Sequence, residues 1–426
     1  MLVDFSVKNY RSIKEEIVLS MLSTKVKKSI KNDIEIDTKT KLLPVAVIYG
    51  QNAAGKTNIV KAMDVMKALV TRRVDLPVEL IHKIAYTPFA FSQDTIDAPI
   101  KFNINILVSS KDASLIPYEY GFVLSKTQIL AEWLYSGAKT IFTREWTEPE
   151  NEGEAGSYNY KYPNNNLTDN KQLRELWEKS TRPEALFLSL AANLNSEAVR
   201  PVYDWFLYNL DIINRIDLEK SISYGNTEDG KNEIIKFLQV SDIAITDVEA
   251  NVKDDFNSVP PHIKQVMESF QKSLGGGQVQ SRVQEVKFKH PTDYNDGYLL
   301  EIKDESEGTK KMYALAGYWQ EAIKNNKVII FDELNNSLHP NLLKFLVNKI
   351  NLRENNTRAQ LVFTSHDTHL INQKILNRDQ IWICGRDREQ ATNLHSLVEF
   401  KVRTDISNYE QAYLQGRFGG VPILEE

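Results

Sequence analysis

Residues 50–57 of this chain are Gly50-Gln51-Asn52-Ala53-Ala54-Gly55-Lys56-Thr57. They fit the phosphate-binding P-loop pattern G-x-x-x-x-G-K-[ST] at every fixed position. The apolar residues 44–49 before the loop predict a short buried strand, and residues 58–71 after it have the periodicity of a helix. This order aims backbone N–H groups and the positive end of a helix dipole at a phosphate. The sequence therefore predicts a nucleotide-binding site at this loop.

Each residue type in the loop has a chemical purpose. Glycine lets the backbone curl so that successive N–H groups face a phosphate. Lys56 is expected to reach the β- and γ-phosphates, and the Thr57 hydroxyl to ligate Mg²⁺. ATP and Mg²⁺ are the expected ligands, although no readable motif separates ATP from GTP. The predicted nucleotide contacts are Gly50, Gln51, Asn52, Ala53, Ala54, Gly55, Lys56, Thr57 and Asn58.

Length and composition describe a globular protein with more than one core. The chain has 426 residues and a net charge of −5, so we expect two lobes or one domain with a large insertion. The net charge gives no global reason to expect nucleic-acid binding. Its single cysteine, Cys384, excludes an intrachain disulfide and is expected to be buried. With no apolar run of membrane-spanning length and no signal-peptide pattern, a cytoplasmic location is expected.

Periodicity divides the chain into three parts. Alternation predicts strands at residues 3–7 and 17–19, and a β pattern from 85 to 143 predicts an antiparallel sheet beside the nucleotide core. Further predictions are an exposed loop at 149–170, mostly helices at 171–275, a hinge at Gly275-Gly276-Gly277 and β structure at 283–290 and 298–302. We therefore expect an N-terminal part of the core (1–148), a mainly helical insertion (149–278) and a C-terminal part of the core (279–426).

Residues 327–333 predict an apolar strand that ends in two acids, Asp332 and Glu333. These two acids would supply the second half of a phosphoryl-transfer site. Asp332 is expected to hold Mg²⁺, directly or through water, and Glu333 to polarise the water that attacks the γ-phosphate. A second apolar strand ends at His366, which is expected to hydrogen-bond a γ-phosphate. A metal site using His366 and His369 has little support, because no cysteine or third histidine lies nearby. The expected catalytic residues are therefore Lys56, Glu333 and His366.

Five motifs follow one another along the chain: Asn9-Tyr10-Arg11-Ser12, the P-loop, Asp304-Glu305-Ser306-Glu307-Gly308-Thr309-Lys310-Lys311, Ser337-Leu338-His339-Pro340 and Tyr413-Leu414-Gln415-Gly416-Arg417-Phe418-Gly419-Gly420-Val421-Pro422. In this order they resemble motifs of bacterial ABC-type AAA family ATPases, whose heads are RecF- and SMC-like; the third, fourth and fifth resemble the signature, the D-loop and the closing pattern of that family. The resemblance extends to RloA-like, AbiL-like and PARIS-type ATPases. It implies an α/β fold: an ABC-type P-loop NTPase head, with a mixed sheet and a flanking antiparallel β lobe.

The resemblance implies a head that works as a homodimer or a higher oligomer. The nucleotide would lie between the P-loop of one copy and the signature of the other, where Ser306, Gly308 and Thr309 would donate to the γ-phosphate. By residue type alone, the same segment also fits a plain helix N-cap. Gln93 is the candidate for a glutamine loop that contacts Mg²⁺ and water. Arg11 is expected either to touch nucleotide or to brace the first turn.

The function implied by the resemblance is an ATP-dependent switch in bacterial anti-phage defence. ATP would join two heads, hydrolysis would separate them, and a separate effector, a nuclease or a toxin, would respond. The alternative is a RecF-like DNA-repair ATPase that clamps DNA, for which the only short basic clusters are Lys25-Val26-Lys27-Lys28 and Lys310-Lys311. A third interpretation is a nucleotide-bound scaffold that hydrolyses very slowly. No membrane partner is expected.

Overall fold

A computed structural model describes residues 1–26, 28–71, 82, 85–110, 112–149, 156–163, 167, 170–254, 282–353, 356–400 and 408–421. The chain forms two compact units. The first consists of Met1–Asn214, Asn325–Asn336 and Leu343–Glu426, and the second of Arg215–Lys324 and Ser337–Leu342. The boundaries expected after residues 148 and 278 do not coincide with those of the two units. The predicted hinge at residues 275–277 and Lys27 lie outside the described residues.

The strands, in chain order, are β1 (Leu2–Lys8), β2 (Ile17–Ser20), β3 (Ile34–Glu35), β4 (Lys41–Leu42), β5 (Val45–Tyr49), β6 (Ile100–Ser109), β7 (Leu115–Leu124), β8 (Ile129–Ser136), β9 (Lys139–Thr147), β10 (Ser157–Lys161), β11 (Leu210–Ile213), β12 (Asp247–Asp254), β13 (Arg282–His290), β14 (Tyr298–Glu301), β15 (Val328–Phe331), β16 (Gln360–Thr364), β17 (Ile381–Arg386) and β18 (Thr392–Ser396). The α-helices are α1 (Lys56–Val70), α2 (Gln93–Ile96), α3 (Lys171–Ser180), α4 (Phe187–Asn193), α5 (Arg200–Asp204), α6 (Glu219–Tyr224), α7 (Glu228–Val240), α8 (Glu307–Asn325), α9 (Pro340–Asn351) and α10 (Tyr409–Leu414). Among the described residues, no helix combines the length and the apolar composition that a bilayer crossing requires.

The first unit is built on a six-stranded sheet in the order β11-β15-β16-β5-β17-β18. Its pairings are parallel except that of β17 with β18. Every residue of β5, β15 and β16 is buried, which explains their continuous apolar sequences. The register pairs Phe331 with Phe363 and Thr364 with Ile48. The carboxyl ends of these three strands therefore meet at one edge of the sheet.

A seven-stranded antiparallel sheet forms the flanking lobe of the same unit, in the order β10-β9-β8-β7-β6-β1-β2. It confirms the antiparallel sheet that the alternating pattern between residues 85 and 143 predicts. The side chains of Phe5, Phe102 and Phe122 from this sheet share one buried cluster with Ile48 of β5 and Met63 of α1. The nucleotide loop is thus attached to a rigid core on both sides.

The predicted exposed loop at residues 149–170 is wrong in part, because residues 157–161 form strand β10 at the edge of the antiparallel sheet. Aromatic contacts hold this strand. The Tyr158 ring lies 5.0 Å from the Trp146 ring, and the Arg144 guanidinium lies 3.8 Å from the Tyr158 ring centre. Tyrosines here supply the apolar area that aliphatic residues usually give a strand.

The stretch predicted as mostly helical, residues 171–275, contains helices α3 to α7 but also strands β11 and β12. Strand β11 runs parallel to β15 at the edge of the core sheet. Its Asp211 pairs with Lys327, at 3.1 Å between Oδ2 and Nζ. Residues up to 214 therefore belong to the same unit as the P-loop.

The second unit combines a three-stranded sheet, β12-β13-β14, with helices α6, α7 and most of α8. Ser221 of α6 donates its hydroxyl to the carbonyl oxygen of Tyr313 and accepts the N–H of Gly317 at 2.8 Å. A Cβ at Gly317 would lie 2.6 Å from the Ser221 backbone. Only glycine permits this close approach, which fixes α6 against the helix that carries the signature motif.

Candidate nucleotide-binding and hydrolysis site

The predicted P-loop curls tightly between β5 and α1. Gly55 precedes the helix with φ +106°, and Ala53 has φ +61°. A Cβ at Gly50 would lie 2.3 Å from the Cys384 carbonyl oxygen, and one at Gly55 would lie 2.0 Å from the Thr392 Oγ1. Both glycines of the pattern are therefore required by the space around them as well as by the turn. Cys384 is buried, as predicted.

The Lys56 side chain folds back over the loop. Its Nζ donates to the carbonyl oxygens of Gly50 at 2.7 Å and Gln51 at 3.1 Å. Burial lowers the pKa of Lys56, while Asp332 and Glu333 act in the opposite direction. The other loop residues differ in exposure: Asn52 and Ala53 are exposed, Gln51, Thr57 and Asn58 are half-buried, and Gly50, Ala54 and Gly55 are buried.

A chain of hydroxyl groups holds the loop from behind. The Asn58 Nδ2 donates to Ser12 Oγ at 2.7 Å, Ser12 Oγ and Thr392 Oγ1 are 2.7 Å apart, and Thr392 Oγ1 donates to the Ala54 carbonyl oxygen at 2.9 Å. Because the Thr392 proton goes to Ala54, Ser12 is the donor of the middle bond. Ser12 belongs to the predicted Asn-Tyr-Arg-Ser motif, but nothing in the sequence pattern indicates Thr392.

The two carboxylates follow β15, beside the end of β16. Thr364 donates its Oγ1 proton to Asp332 Oδ1 at 2.7 Å and accepts the Glu333 N–H at 2.7 Å. One hydroxyl thus positions both residues of the acidic pair. Glu333 has φ +52°, so the chain turns sharply at this residue instead of continuing the strand.

The Glu333 carboxylate contacts the next two polar groups of the site. Its Oε2 accepts the Asn336 Nδ2 at 2.6 Å, and its Oε1 lies 3.8 Å from His366 Nε2. Burial lowers the pKa of His366, and the Lys56 charge lowers it further; Glu333 and Asp332 oppose both effects. His366 is therefore held neutral near pH 7.

Arg11 and Gln93, two residues of the predicted site, take no part in the contacts described above. Arg11, at φ +52°, donates its Nε to the Tyr10 hydroxyl at 2.9 Å, and its contact with nucleotide stays a prediction. Gln93 is exposed at the start of α2. The loop before and after α2 is organised by Asn9, whose Nδ2 donates to the carbonyl oxygens of Thr95 and Ala98. The role of Gln93 at Mg²⁺ stays a prediction.

The signature residues lie in the second unit, at the start of α8. Ser306 is exposed, and its Oγ accepts the Thr309 N–H at 3.1 Å and lies 2.9 Å from Thr309 Oγ1. Ser306 is therefore an N-cap, the plain interpretation of this segment. Gly308 is half-buried between them. The capped turn leaves hydroxyl groups and backbone N–H groups at the surface.

The residues at the strand ends fit a Mg²⁺-nucleotide. Among the described residues, no group of three or more His, Cys, Asp or Glu side chains could hold a metal alone, and His369 is bound to Asp367 at 2.6 Å. Mg²⁺ typically takes one or two carboxylates and completes its shell with substrate phosphates and water. Thr57 and Asp332 are of the residue types that such an incomplete set needs, and their role at Mg²⁺ stays a prediction. Lys56, which already binds two carbonyl oxygens, fits phosphate oxygens.

The parallel core, the phosphate loop and the acidic strand end define a P-loop ATPase of the ABC and AAA type with an α/β head. Residues 45–372 match the family described as "AAA domain, putative AbiEii toxin, Type IV TA system", and the chain belongs to this family. No match was found among curated proteins.

Among solved structures, the chain is similar to SMC head domains. One is the SmcHead bound to the C-winged helix domain of ScpA (11% identity, TM-score 0.42, 93% of this chain and 97% of that chain). Another is the SMC head domain from Thermotoga maritima (10% identity, TM-score 0.41, 93% and 98%). A third is the Smc head domain with an extended coiled coil bound to the C-terminal domain of ScpA, derived from Pyrococcus furiosus (12% identity, TM-score 0.43, 93% and 97%).

Proposed function

We propose that this chain binds and hydrolyses ATP with Mg²⁺ and works as a nucleotide-driven dimerisation switch. One observation carries the proposal. Strands β5, β15 and β16 end side by side and bring Lys56, Glu333 and His366 to the same edge of the core sheet. Phosphoryl transfer needs positioning and charge stabilisation more than covalent chemistry, and these are the groups that provide both.

Each group has a defined task in this proposal. Lys56 and the backbone N–H groups of the P-loop bind the phosphates. Thr57 and Asp332 hold Mg²⁺, which neutralises charge on the phosphate oxygens. Glu333 accepts the proton of the attacking water, and Asn336 fixes its carboxylate in one orientation. Neutral His366 hydrogen-bonds the γ-phosphate.

A second copy of the chain completes the site in this proposal. The Ser306 and Thr309 hydroxyls and the N–H groups at the start of α8 are short donors at an exposed helix N-terminus, a combination that suits a phosphate. ATP would then contact two copies at once and bind the joined state more tightly than the separated one. That difference in affinity is what shifts the population toward the dimer.

We further propose that the switch regulates a separate effector in bacterial anti-phage defence. The motif resemblance supports this role, and the description of the matched family names a toxin–antitoxin system. Two of the lysines that a DNA clamp would need are already paired. Lys28 pairs with Asp33 and Asp379, and Lys310 pairs with Glu307.

The test of nucleotide binding compares Lys56→Ala with Lys61→Ala, an exposed lysine on the same helix. Loss of Lys56 removes a charge-assisted contact to phosphate, so the Kd for Mg²⁺-ATP should rise about a hundredfold. Lys61→Ala should bind as the parent does. Equilibrium binding and phosphate release measure both effects. Equal affinity in the two variants would contradict the assignment.

The defence role needs a test in cells. A host carrying the gene with its neighbouring genes should resist phage, and Lys56→Ala should abolish the resistance while Lys61→Ala keeps it. Purified chain that binds duplex DNA with a steep salt dependence would favour the DNA clamp instead. Protection that survives Lys56→Ala would remove ATP from the defence mechanism.

A further inference from the structure

The segment 408–421, which follows the core sheet in the chain, packs against the first glycine of the P-loop. A Cβ built at Gly420 would lie 2.7 Å from Ile383 Cγ2, 3.3 Å from the Cys384 carbonyl oxygen and 3.6 Å from Gly50 Cα. The added Cβ would therefore clash with Ile383 of β17 and lie tight against the Cys384 carbonyl oxygen, with Gly50 at an ordinary contact distance. No side chain larger than hydrogen fits beside Ile383 without a shift.

Tyr413 fastens this contact. Its hydroxyl donates to the Gly420 carbonyl oxygen at 3.0 Å, and its ring lies 5.9 Å from the ring of Tyr49, the last residue of β5. Burial raises the pKa of Tyr413 to about 12, so the hydroxyl keeps its proton at neutral pH. At the start of the same helix, Glu410 accepts the Thr368 hydroxyl at 2.7 Å. Thr368 lies two residues after His366, so α10 contacts the chain at two strand ends.

We propose that residues 408–421 are a positioning element for the P-loop, with Tyr413 and Gly420 as positioning residues. Of the two hydrogen bonds that Lys56 Nζ donates, the one to the Gly50 carbonyl oxygen is the shorter, at 2.7 Å. Gly420 packs on Ile383 and Cys384 of β17, and the Cys384 carbonyl oxygen limits where Gly50 can lie. The Gly50 carbonyl oxygen in turn holds the ammonium group of Lys56. Displacement of Gly420 therefore moves the group that binds phosphate. This inference rests on the nucleotide-binding function proposed above.

Two neighbouring glycines provide a matched test. Gly419 and Gly420 both have φ +69°, a left-handed value that strains alanine at either position. A Cβ at Gly419 would meet nothing within 4 Å. The two alanine variants therefore share a left-handed φ and differ in the close contact of the added Cβ with Ile383.

Gly420→Ala should raise the KM for Mg²⁺-ATP and the equilibrium Kd at least about tenfold over Gly419→Ala, because a small displacement of a binding group is costly. The kcat at saturation should stay within about threefold of the parent, and Gly420→Ala should lose more melting temperature than Gly419→Ala, because only its Cβ meets Ile383. Steady-state kinetics, binding and thermal unfolding measure this split. Equal KM and Kd values for the two variants would overturn the proposal.

If Gly420→Ala does not fold, two tyrosine variants test the positioning role of residues 408–421. Tyr413→Phe keeps the ring and removes the hydrogen bond to Gly420, so KM should rise about threefold or more. Tyr49→Phe is the control, because the Tyr49 hydroxyl is buried with no hydrogen-bond partner among the described residues. Its KM should match the parent. Equal KM values for Tyr413→Phe and Tyr49→Phe would overturn the proposal.

The parental chain separates this inference from the proposed function. If the parent fails to bind Mg²⁺-ATP, the proposed function falls and this inference falls with it. If the parent binds and hydrolyses ATP but the matched variants agree with their controls, only the role of residues 408–421 is wrong.

Discussion

Glu333 has a backbone conformation that non-glycine residues seldom adopt. Its φ is +52°, and the Thr364 hydroxyl fixes its N–H while the Asn336 amide fixes its carboxylate. Such strain costs of order 1–3 kcal/mol and persists only where surrounding contacts determine it. The Thr364 contact holds the backbone of Glu333, and the Asn336 contact holds its carboxylate. A residue that takes the proton of an attacking water needs such fixed placement.

Glu333→Gln should separate binding from hydrolysis. The amide keeps the shape and the Thr364 contact but cannot accept the proton, so hydrolysis should fall about a hundredfold or more. The Kd for Mg²⁺-ATP should change little. Single-turnover hydrolysis and equilibrium binding measure the two effects, and Glu35→Gln, at an exposed residue paired with Lys41, is the control. Hydrolysis at the parental rate would show that Glu333 is not the base.

The electrostatic coupling of His366 gives a second prediction at this scale. Lys56 lowers the pKa of His366 and Glu333 raises it. Removing the positive charge should therefore raise this pKa in Lys56→Met, and removing the negative charge should lower it in Glu333→Gln. NMR titration of the His366 ring measures both shifts, with His366→Gln to assign the signal. Lys61→Met is the control, and a pKa that Lys56→Met leaves unchanged would contradict the coupling.

At the scale of elements, a buried ion pair joins strands β8 and β9 to helix α4. Glu132 and Arg144 are completely buried, 3.6 Å apart. The Glu132 carboxylate also accepts the N–H groups of Phe187 and Leu188, at the start of α4. Burial raises the pKa of Glu132. The pair and its hydrogen bonds thus hold the helix against the antiparallel sheet.

Arg144→Met should destabilise the fold by about 3–5 kcal/mol, because it leaves a buried carboxylate without its counter-charge. Arg200→Met is the control: Arg200 pairs with Asp204 at the surface, and its loss should cost less than about 1 kcal/mol. Denaturant unfolding measures both. Similar losses in the two variants would contradict the importance of the buried pair.

The loss of stability in Arg144→Met should also depend on pH, in a direction that follows from the pKa of Glu132. Without Arg144, the pKa of folded Glu132 rises further above its unfolded value, so the folded state takes up a proton first as the pH falls. The full free-energy loss from the unpaired carboxylate is present above the pKa of folded Glu132, and the loss decreases as the pH falls through that pKa. The free-energy loss in Arg144→Met should therefore be smaller at pH 5 than at pH 7. A loss that grows on acidification would contradict this.

Patterns in the sequence predict the elements that depend on a short run of residues. The P-loop, the apolar strands that end at Asp332 and Thr364, and the alternating strand β6 could all be found in the sequence, because each depends on a short run of residues. Strand β10 could not, since its tyrosines are stabilised by Trp146 and Arg144 of the neighbouring strand.

Contacts between distant parts of the chain were also beyond prediction. Thr392 meets Ser12 across 380 positions, and strand β11 completes the core sheet from within a stretch that reads as helical. The left-handed turn at Glu333 is likewise not signalled by any local pattern, because β15 has already ended at Phe331.

At the scale of the whole molecule, the phosphate loop and the signature lie in different compact units. Lys56, Glu333 and His366 belong to the first unit and Ser306 to the second. The proposed switch requires that a Ser306 from another copy meets these groups. Ser306→Arg should therefore leave nucleotide binding by the single chain intact, because Lys56 is untouched, and should prevent dimers with Mg²⁺-ATP through bulk and charge. Light scattering measures the mass of the complex.

A mixture of Lys56→Ala and Ser306→Arg chains tests this sharing most directly. Each variant alone should hydrolyse almost no ATP. In a mixed dimer, the intact P-loop of one chain meets the intact signature of the other. Random pairing should thus restore up to about a quarter of the parental hydrolysis rate. Light scattering establishes that mixed dimers form despite the single Ser306→Arg substitution that each carries, and mixed dimers with activity no greater than the sum of the separate variants would contradict a nucleotide site shared between two copies.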